Sequence, residues 1–131
     1  MQNHVLASSF ADPADVRAFE RCKAEGNSDQ ECFKIGDNGI GAWGDVTKEG
    51  SGPSCALPPE VLIQNYGTVD AGHLQCVKVT RGQLSVDCLI KDIMPHIANI
   101  HNGARIDLNP DAVRALGLEP PILTYVIWEK A

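Results

Sequence analysis

The chain has 131 residues, 44% of them hydrophobic, and carries a formal net charge of −6 at pH 7 with a pI near 5.0. This length predicts one domain around one core, and the hydrophobic content excludes a disordered chain. An acidic chain argues against nucleic acid or an anionic membrane as partner, and no apolar run approaches the roughly 18 residues of a transmembrane helix.

Cysteine and turn residues narrow the fold class. Twelve glycines and eight prolines predict many turns and short strands. The five cysteines include no CxxC pair, which argues against a structural zinc site and favours a partial disulfide framework in an oxidising compartment. The N-terminal residues have neither the basic region nor the apolar core of a secretory signal, so either the leader lies outside this sequence or export follows a signal-independent route.

The N-terminal segment is predicted to be a helical hairpin after a loose lead-in over residues 1–9. Asp12 and Pro13 have the types that begin a helix, and a second short helix follows. Cys22 and Cys32 lie on the facing sides of these helices, so we predict a disulfide that closes a loop of about ten residues. Residues 1–39 are assigned to this N-terminal extension and residues 40–131 to the domain itself.

A glycine-rich stretch lies where the extension meets the domain. Residues 36–45 lack the Gly-Lys-Ser/Thr of a phosphate loop and are interpreted as a turn followed by a brief strand over residues 40–43. Glycines here would let the backbone pass close to another strand or a ligand. Residues 53–60 are predicted to be extended, and residues 61–72 form a connection of uncertain structure.

The clearest hairpin pairs strands over residues 73–80 and 83–91, joined at Arg81-Gly82. This turn places Cys76 opposite Asp87 or Cys88. A bridge from Cys88 to either Cys76 or Cys55 is therefore possible. The apolar alternation of residues 122–128 predicts the final strand.

A short helix with strong boundary signals lies before that last strand. Asn109 is a good N-cap and Pro110 suits the first helical position. Gly117 supplies a left-handed C-terminal residue, and the Pro120-Pro121 pair forbids continuation. About six short strands with one helix lodged between them predict a mainly β fold, a small closed barrel.

Several of these segments resemble one family. Residues 77–95, ending in Lys91-Asp92-Ile93-Met94-Pro95, and residues 103–117, with Arg105-Ile106-Asp107-Leu108-Asn109-Pro110, resemble segments of the rare-lipoprotein-A-like double-psi β-barrels. Ala42-Trp43-Gly44-Asp45 is similar to the opening strand that expansins share with barwin-like endoglucanases, and Cys55-Ala56-Leu57-Pro58 to the stretch that follows it. The resemblance covers about residues 40–128.

The resemblance implies a six-stranded double-psi barrel with a groove for polysaccharide. The family includes peptidoglycan lytic transglycosylases, expansins, inverting endoglucanases and non-catalytic wall binders. It implies that an acid matching Asp92 or Asp107 transfers the proton, and that Asp45 lies where endoglucanases have a second acid. Asp92, in its apolar surroundings of Ile93 and Met94, is the leading candidate.

Further residues are candidates for substrate binding. His96 and His101 lie between the two acids, and Arg105 could pair with Asp107 or bind a carboxylate-bearing sugar. Four aromatic side chains, Trp43, Tyr66, Tyr125 and Trp128, could stack on sugar rings, and Trp43 and Tyr66 are taken as the candidates. Five-residue spacing of the histidines beside aspartates leaves a metal-dependent hydrolase as a weaker alternative, but we predict no resident metal or cofactor.

Two functions follow as hypotheses. The first is a periplasmic or secreted cell-wall-acting domain that binds and cleaves peptidoglycan glycan strands by acid catalysis. The second is a non-catalytic polysaccharide-binding, expansin-like or protease-inhibitor module on the same barrel. Delivery by other machinery would add an immunity or delivery protein as partner.

Overall fold

A computed structural model describes residues 1–131 as a closed barrel of six strands with four helices. The strands are β1 (Asn3–Ser9), β2 (Ser54–Leu57), β3 (Cys76–Arg81), β4 (Leu84–Ile93), β5 (Ile106–Leu108) and β6 (Leu123–Lys130). Their order around the barrel is β1-β5-β2-β4-β3-β6. The pairs β1/β5 and β2/β4 are parallel and the other four are antiparallel. The predicted closed barrel is confirmed.

The interior is filled by alternate strand residues, and the helices over residues 59–66 and 110–115 pack against it. The helices are α1 (Pro13–Ala24), α2 (Asp29–Cys32), α3 (Pro59–Tyr66) and α4 (Pro110–Ala115), with 3-10 turns at Asp70–Gly72 and Ile97–Asn99. The largest buried side chain of the core is Trp128, packed with Leu62 of α3 and Val113 and Leu116 at α4. The core thus draws on both halves of the chain.

Helix α4 begins and ends where its sequence predicts. The Asn109 side chain accepts a hydrogen bond from Ala112 N (3.0 Å), and Gly117 follows the helix with φ 79°. Asn109 is also fully buried, accepting from Ser54 N and donating to the Thr47 and Gly52 carbonyls. It therefore ties α4 to β2 and to the preceding loop.

Asp111, in the first turn of α4, holds the same loop. Its carboxylate accepts hydrogen bonds from Gly50 N (3.0 Å to Oδ2) and Gly52 N (2.7 Å). We expect Asp111→Ala to lower the free energy of unfolding by about 1–2 kcal/mol, because charge-assisted hydrogen bonds and a helix-dipole contact are lost. Urea unfolding checks this. Asp111→Asn keeps one acceptor oxygen and should lose less stability. If both variants were as stable as the parent, the hydrogen bonds of Asp111 would not stabilise the fold.

Two local expectations are wrong. Residues 1–9 are not a loose lead-in, because residues 3–9 form β1, hydrogen-bonded to β5 on one side and β6 on the other. The barrel therefore includes part of the 1–39 segment. Residues 40–43 form no strand but a turn closed by the isolated bridge Ile40↔Val46, since Gly41 N bonds back to Asp45 O.

The cysteines follow the prediction only in part. The Cys22–Cys32 disulfide is present, with a Cα–Cα distance of 5.6 Å, and it links α1 to the single turn of α2. Cys55, Cys76 and Cys88 are free. The hairpin turns at Gly82-Gln83, one residue later than predicted, so Cys88 faces Val77 and points inward while Cys76 points to the other side of the sheet.

Candidate functional site

A row of four residues crosses the outer surface of four adjacent strands. Ser8 pairs with Asp107, Asp107 with Ala56, and Ala56 with Asp92. Directly paired residues share a face of the sheet, and their neighbours along the strands, such as Ala7, belong to the interior core. With strands about 4.8 Å apart, the backbones at Asp107 and Asp92 are roughly 9–10 Å apart. Both candidate acids therefore occupy one face.

Asp107 lies at an open groove of about 310 Å³. The groove is lined by Ser8, Met94, Pro95, Ile100, His101, Asn102 and Asp107. The Ser8 hydroxyl donates to Asp107 Oδ1. Burial raises the pKa of Asp107 from 3.8 to about 6, opposed by the Ser8 hydrogen bond and assisted by the negative charges of Asp92 and Asp12. Asp107 is thus an acid that keeps its proton in mildly acidic solution.

One wall of the groove is held by a small apolar cluster on the outer face. Ala56, Met94 and Ala104 are buried there, with Phe10 and Ile100 packed against them. Asn102 Oδ1 accepts from Ala104 N (3.0 Å), which fixes the turn beside His101. This cluster supplies the apolar surroundings that disfavour the charged form of Asp107.

Asp92 is held differently from Asp107. Its Oδ1 accepts hydrogen bonds from Ala42 N (2.8 Å) and Ile93 N (2.9 Å). Burial raises the pKa of Asp92, while these two amide bonds favour the carboxylate. The bond to Ala42 depends on Gly41, because a Cβ there would lie 1.9 Å from Lys91 O. The close approach expected of the glycine-rich stretch is therefore to strand β4.

Asp45 and Trp43 form a separate cluster. The Asp45 carboxylate bonds His73 Nε2, and the Trp43 ring stacks on the His73 ring with centroids 4.6 Å apart. Trp43 Nε1 donates to Asp70 Oδ1 (3.0 Å). These contacts fasten the 40–46 turn to the 3-10 turn at Asp70–Gly72. The structure does not bring Asp45 into the row of Asp107 and Asp92.

The remaining predicted binding residues are dispersed. His101 lines the Asp107 groove. His96 is exposed and pairs with Glu60 (3.3 Å). Arg105 Nη1 donates to Ala104 O and borders another pocket beside Trp128, while the Tyr66 ring lies under Lys130 Nζ. Asp107, Asp92 and His101 are therefore the predicted residues that share one surface.

Three polar residues at this surface were missed by the sequence analysis: Ser8, Asp12 and Asp37. Asp12 Oδ2 accepts from Ser9 Oγ (3.2 Å), its Oδ1 is buried without a partner, and burial raises its pKa. Asp37 accepts from Ala11 N (3.2 Å) and Gly39 N (2.7 Å). In the sequence, Asp12 has the context of a helix N-cap and Asp37 that of a turn residue, and Ser8 lies in a segment taken as a loose lead-in, so none of the three was recognised as part of this surface.

Neither a metal site nor a reactive thiol adds to the site. No group of three or more His, Cys, Asp or Glu side chains converges in a way that would hold a metal ion. The two histidines considered as metal ligands have different surroundings, because His96 bonds Glu60 and His101 lines the Asp107 groove. Burial raises the pKa of Cys88 to about 12 and that of Cys55 well above its usual value, which leaves both thiols protonated.

Comparison with known proteins adds no assignment. No protein-family model matches the chain, and no curated protein matches it. None of the four helices is both long and apolar enough to cross a membrane.

Proposed function

We propose that the chain is a cell-wall-acting domain that binds peptidoglycan glycan strands in the Asp107 groove and cleaves them with Asp107 as general acid. The observation that carries this proposal is a carboxyl group with a pKa of about 6 at an open groove, hydrogen-bonded to Ser8. Cleavage of a glycosidic bond requires a proton on the leaving oxygen, and an acid with a raised pKa supplies it near neutral pH. Asp107 replaces Asp92 as our leading acid for this reason.

The proposed reaction begins with protonated Asp107 donating its proton to the glycosidic oxygen as the bond to the anomeric carbon breaks. In a lytic transglycosylase reaction, a hydroxyl of the same sugar then attacks the anomeric carbon and closes an anhydro ring. Its proton returns to the Asp107 carboxylate, so the acid is regenerated and no water is consumed. This route needs a single acid. Asp107 is the carboxyl group that lines the groove, and its pKa is raised.

Asp92 offers a second route. Inverting glycosidases hold acid and base roughly 6.5–9.5 Å apart, and the two-strand separation of Asp107 from Asp92 is of this order. The amide bonds from Ala42 and Ile93 favour the ionised form that a base requires. Hydrolysis with Asp92 as base is therefore the runner-up, and the product distinguishes the two: an anhydro sugar or a free reducing end.

The barrel topology supports a double-psi assignment, which we propose together with the function. Two parallel pairs, β1/β5 and β2/β4, lie within an otherwise antiparallel closed barrel. The segment that resembles the family, residues 103–117, forms β5 and α4 and carries Asp107 into the row. The segment that resembles the family is therefore also the segment that carries Asp107.

The proposed location is the periplasm or the cell exterior. The Cys22–Cys32 disulfide is compatible with an oxidising compartment. An immunity or delivery protein as partner belongs to the same proposal, and the net charge of −6 supports a ligand other than nucleic acid.

Incubation with purified sacculi tests the proposal. We expect the protein to sediment with sacculi and to release soluble anhydro-muropeptides, detected by mass spectrometry. Sedimentation without release would favour the non-catalytic binding module over the enzyme. Neither sedimentation nor release would overturn both wall functions.

A further inference from the structure

The outer face of β1 and β6 carries an unusual apolar surface next to the groove. Tyr125 is 75% exposed and Leu123 is 58% exposed, and Leu6 lies beside them, partly buried. Alternation along β6 directs Val126 and Trp128 into the core and leaves these side chains outside. No phenylalanine, tyrosine or tryptophan lines the Asp107 groove itself. An exposed tyrosine near it is therefore the candidate ring for stacking on a sugar.

The strand register makes this surface continuous with the groove. Ser8, which donates to Asp107, pairs across to Leu123, and Leu6 pairs with Tyr125 two residues along. Tyr125 is thus two strands and two residues from Asp107, roughly 12 Å at the backbone. Gly103 follows Asn102, which lines the groove, and a Cβ at Gly103 would lie 3.7 Å from Leu6 Cδ2. The groove wall therefore lies next to Leu6.

Polar groups border Tyr125 on its far side. A second open groove of about 380 Å³ is lined by His4, Thr80, Arg81, Gly82, Tyr125, Val126 and Ile127. Of these residues, His4 is exposed on β1 and Thr80 pairs with Ile127 of β6. Tyr125 therefore stands between two grooves, with hydrogen-bonding side chains beyond it.

We infer that Tyr125 is a saccharide-stacking subsite on which a ring of a β-linked N-acetylhexosamine strand rests while a neighbouring linkage lies at Asp107. This inference rests on the proposed function. A pyranose has an apolar C–H face and a rim of hydroxyl groups. The tyrosine ring and Leu123 match the apolar face, and the neighbouring polar residues His4 and Thr80 match the rim. The strand would run from the Asp107 groove across Leu6 and Tyr125 to the second groove.

Sedimentation with sacculi, measured against sacculus concentration, tests the subsite. Tyr125→Ala should weaken binding about three- to tenfold, the range expected for one stacked aromatic ring. Tyr125→Phe keeps the ring and should bind within about twofold of the parent. Ile63→Ala serves as the matched control, because Ile63 is 51% exposed on α3 and outside both grooves, and its binding should be unchanged.

Each alternative outcome has a distinct meaning. A parent protein that binds and cleaves while Tyr125→Ala binds equally well overturns the subsite and leaves the proposed function standing. A parent that neither binds nor cleaves overturns the proposed function and the subsite with it. A parent that is dimeric in analytical ultracentrifugation, with Tyr125→Ala monomeric, overturns the subsite in favour of a contact between two copies of the chain. Circular dichroism melting establishes that the compared variants are folded.

Discussion

Asp107→Asn is expected to reduce release of muropeptides from sacculi by at least about a hundredfold while leaving sedimentation with sacculi within about twofold. Asparagine has nearly the same shape and can accept the Ser8 hydrogen bond, but its amide has no acidic proton to transfer to the leaving oxygen. General acid catalysis contributes about 10²–10⁴ in rate, which sets the size of the loss. Initial rates of release, measured by chromatography of the soluble fraction, provide the test.

Two further variants sharpen this test. Asp45→Asn changes a partly buried aspartate that bonds His73 outside the row, so it controls for the loss of a carboxylate elsewhere and should retain most of the release. Asp92→Asn separates the routes, because a transglycosylase tolerates it and an inverting hydrolase does not. An Asp107→Asn protein that releases muropeptides at the parent rate would remove Asp107 from the mechanism.

The same substitution is expected to stabilise the fold at pH 7.5 by about 2–3 kcal/mol. Burial raises the pKa of Asp107 in the folded state from 3.8 to about 6, so the folded state binds more protons than the unfolded state between these values. Stability therefore falls as pH rises from about 4 to 6, at 1.36 kcal/mol for each unit of pKa difference. Asparagine carries no charge and avoids this loss.

Urea unfolding at pH 4 and pH 7.5 measures this effect. The advantage of Asp107→Asn should be near zero at pH 4 and fully developed at pH 7.5. Asp87→Asn is the control, because Asp87 is exposed on β4 and should change stability by no more than about 0.5 kcal/mol at either pH. An Asp107→Asn protein that is no more stable than the parent at pH 7.5 would contradict the raised pKa. A gain in stability with a loss of activity would mark Asp107 as a residue retained for function.

Local signals in the sequence were sufficient for some elements. The caps of α4 and the alternation of β6 depend on neighbours within a few residues, and both elements form where predicted. The Cys22–Cys32 bridge spans a separation of only 10 residues. Contacts this close in sequence follow from propensity and loop length.

Elements with distant partners could not be predicted in this way. Strand β1 has little internal signal, and its partners β5 and β6 lie about a hundred residues away. The turn at Gly82-Gln83 lies one residue later than predicted, which moves the partner of Cys76 two residues along β4 to Leu89 and pairs Cys88 with Val77. The Asp45–His73 bond depends on a tertiary contact between two loops.

The sequence analysis named two acids of the candidate surface but not how they are arranged. Asp92 and Asp107 were both identified, but their order of importance depends on burial. Parallel pairing of β1 with β5 brings Ser8 beside Asp107, and the 94–104 segment covers this acid with apolar groups. Asp92 instead meets the amide of Ala42. The roles we propose for the two carboxyl groups follow from these non-local contacts.

The pH dependence of muropeptide release from sacculi tests the central claim most directly. With Asp107 as the general acid, the rate should be highest in mildly acidic solution and fall about tenfold per pH unit above the pKa of about 6. This fall should be absent from the residual release of Asp107→Asn. Release that is constant or rises between pH 6 and 8, or no release at any pH, would contradict the account.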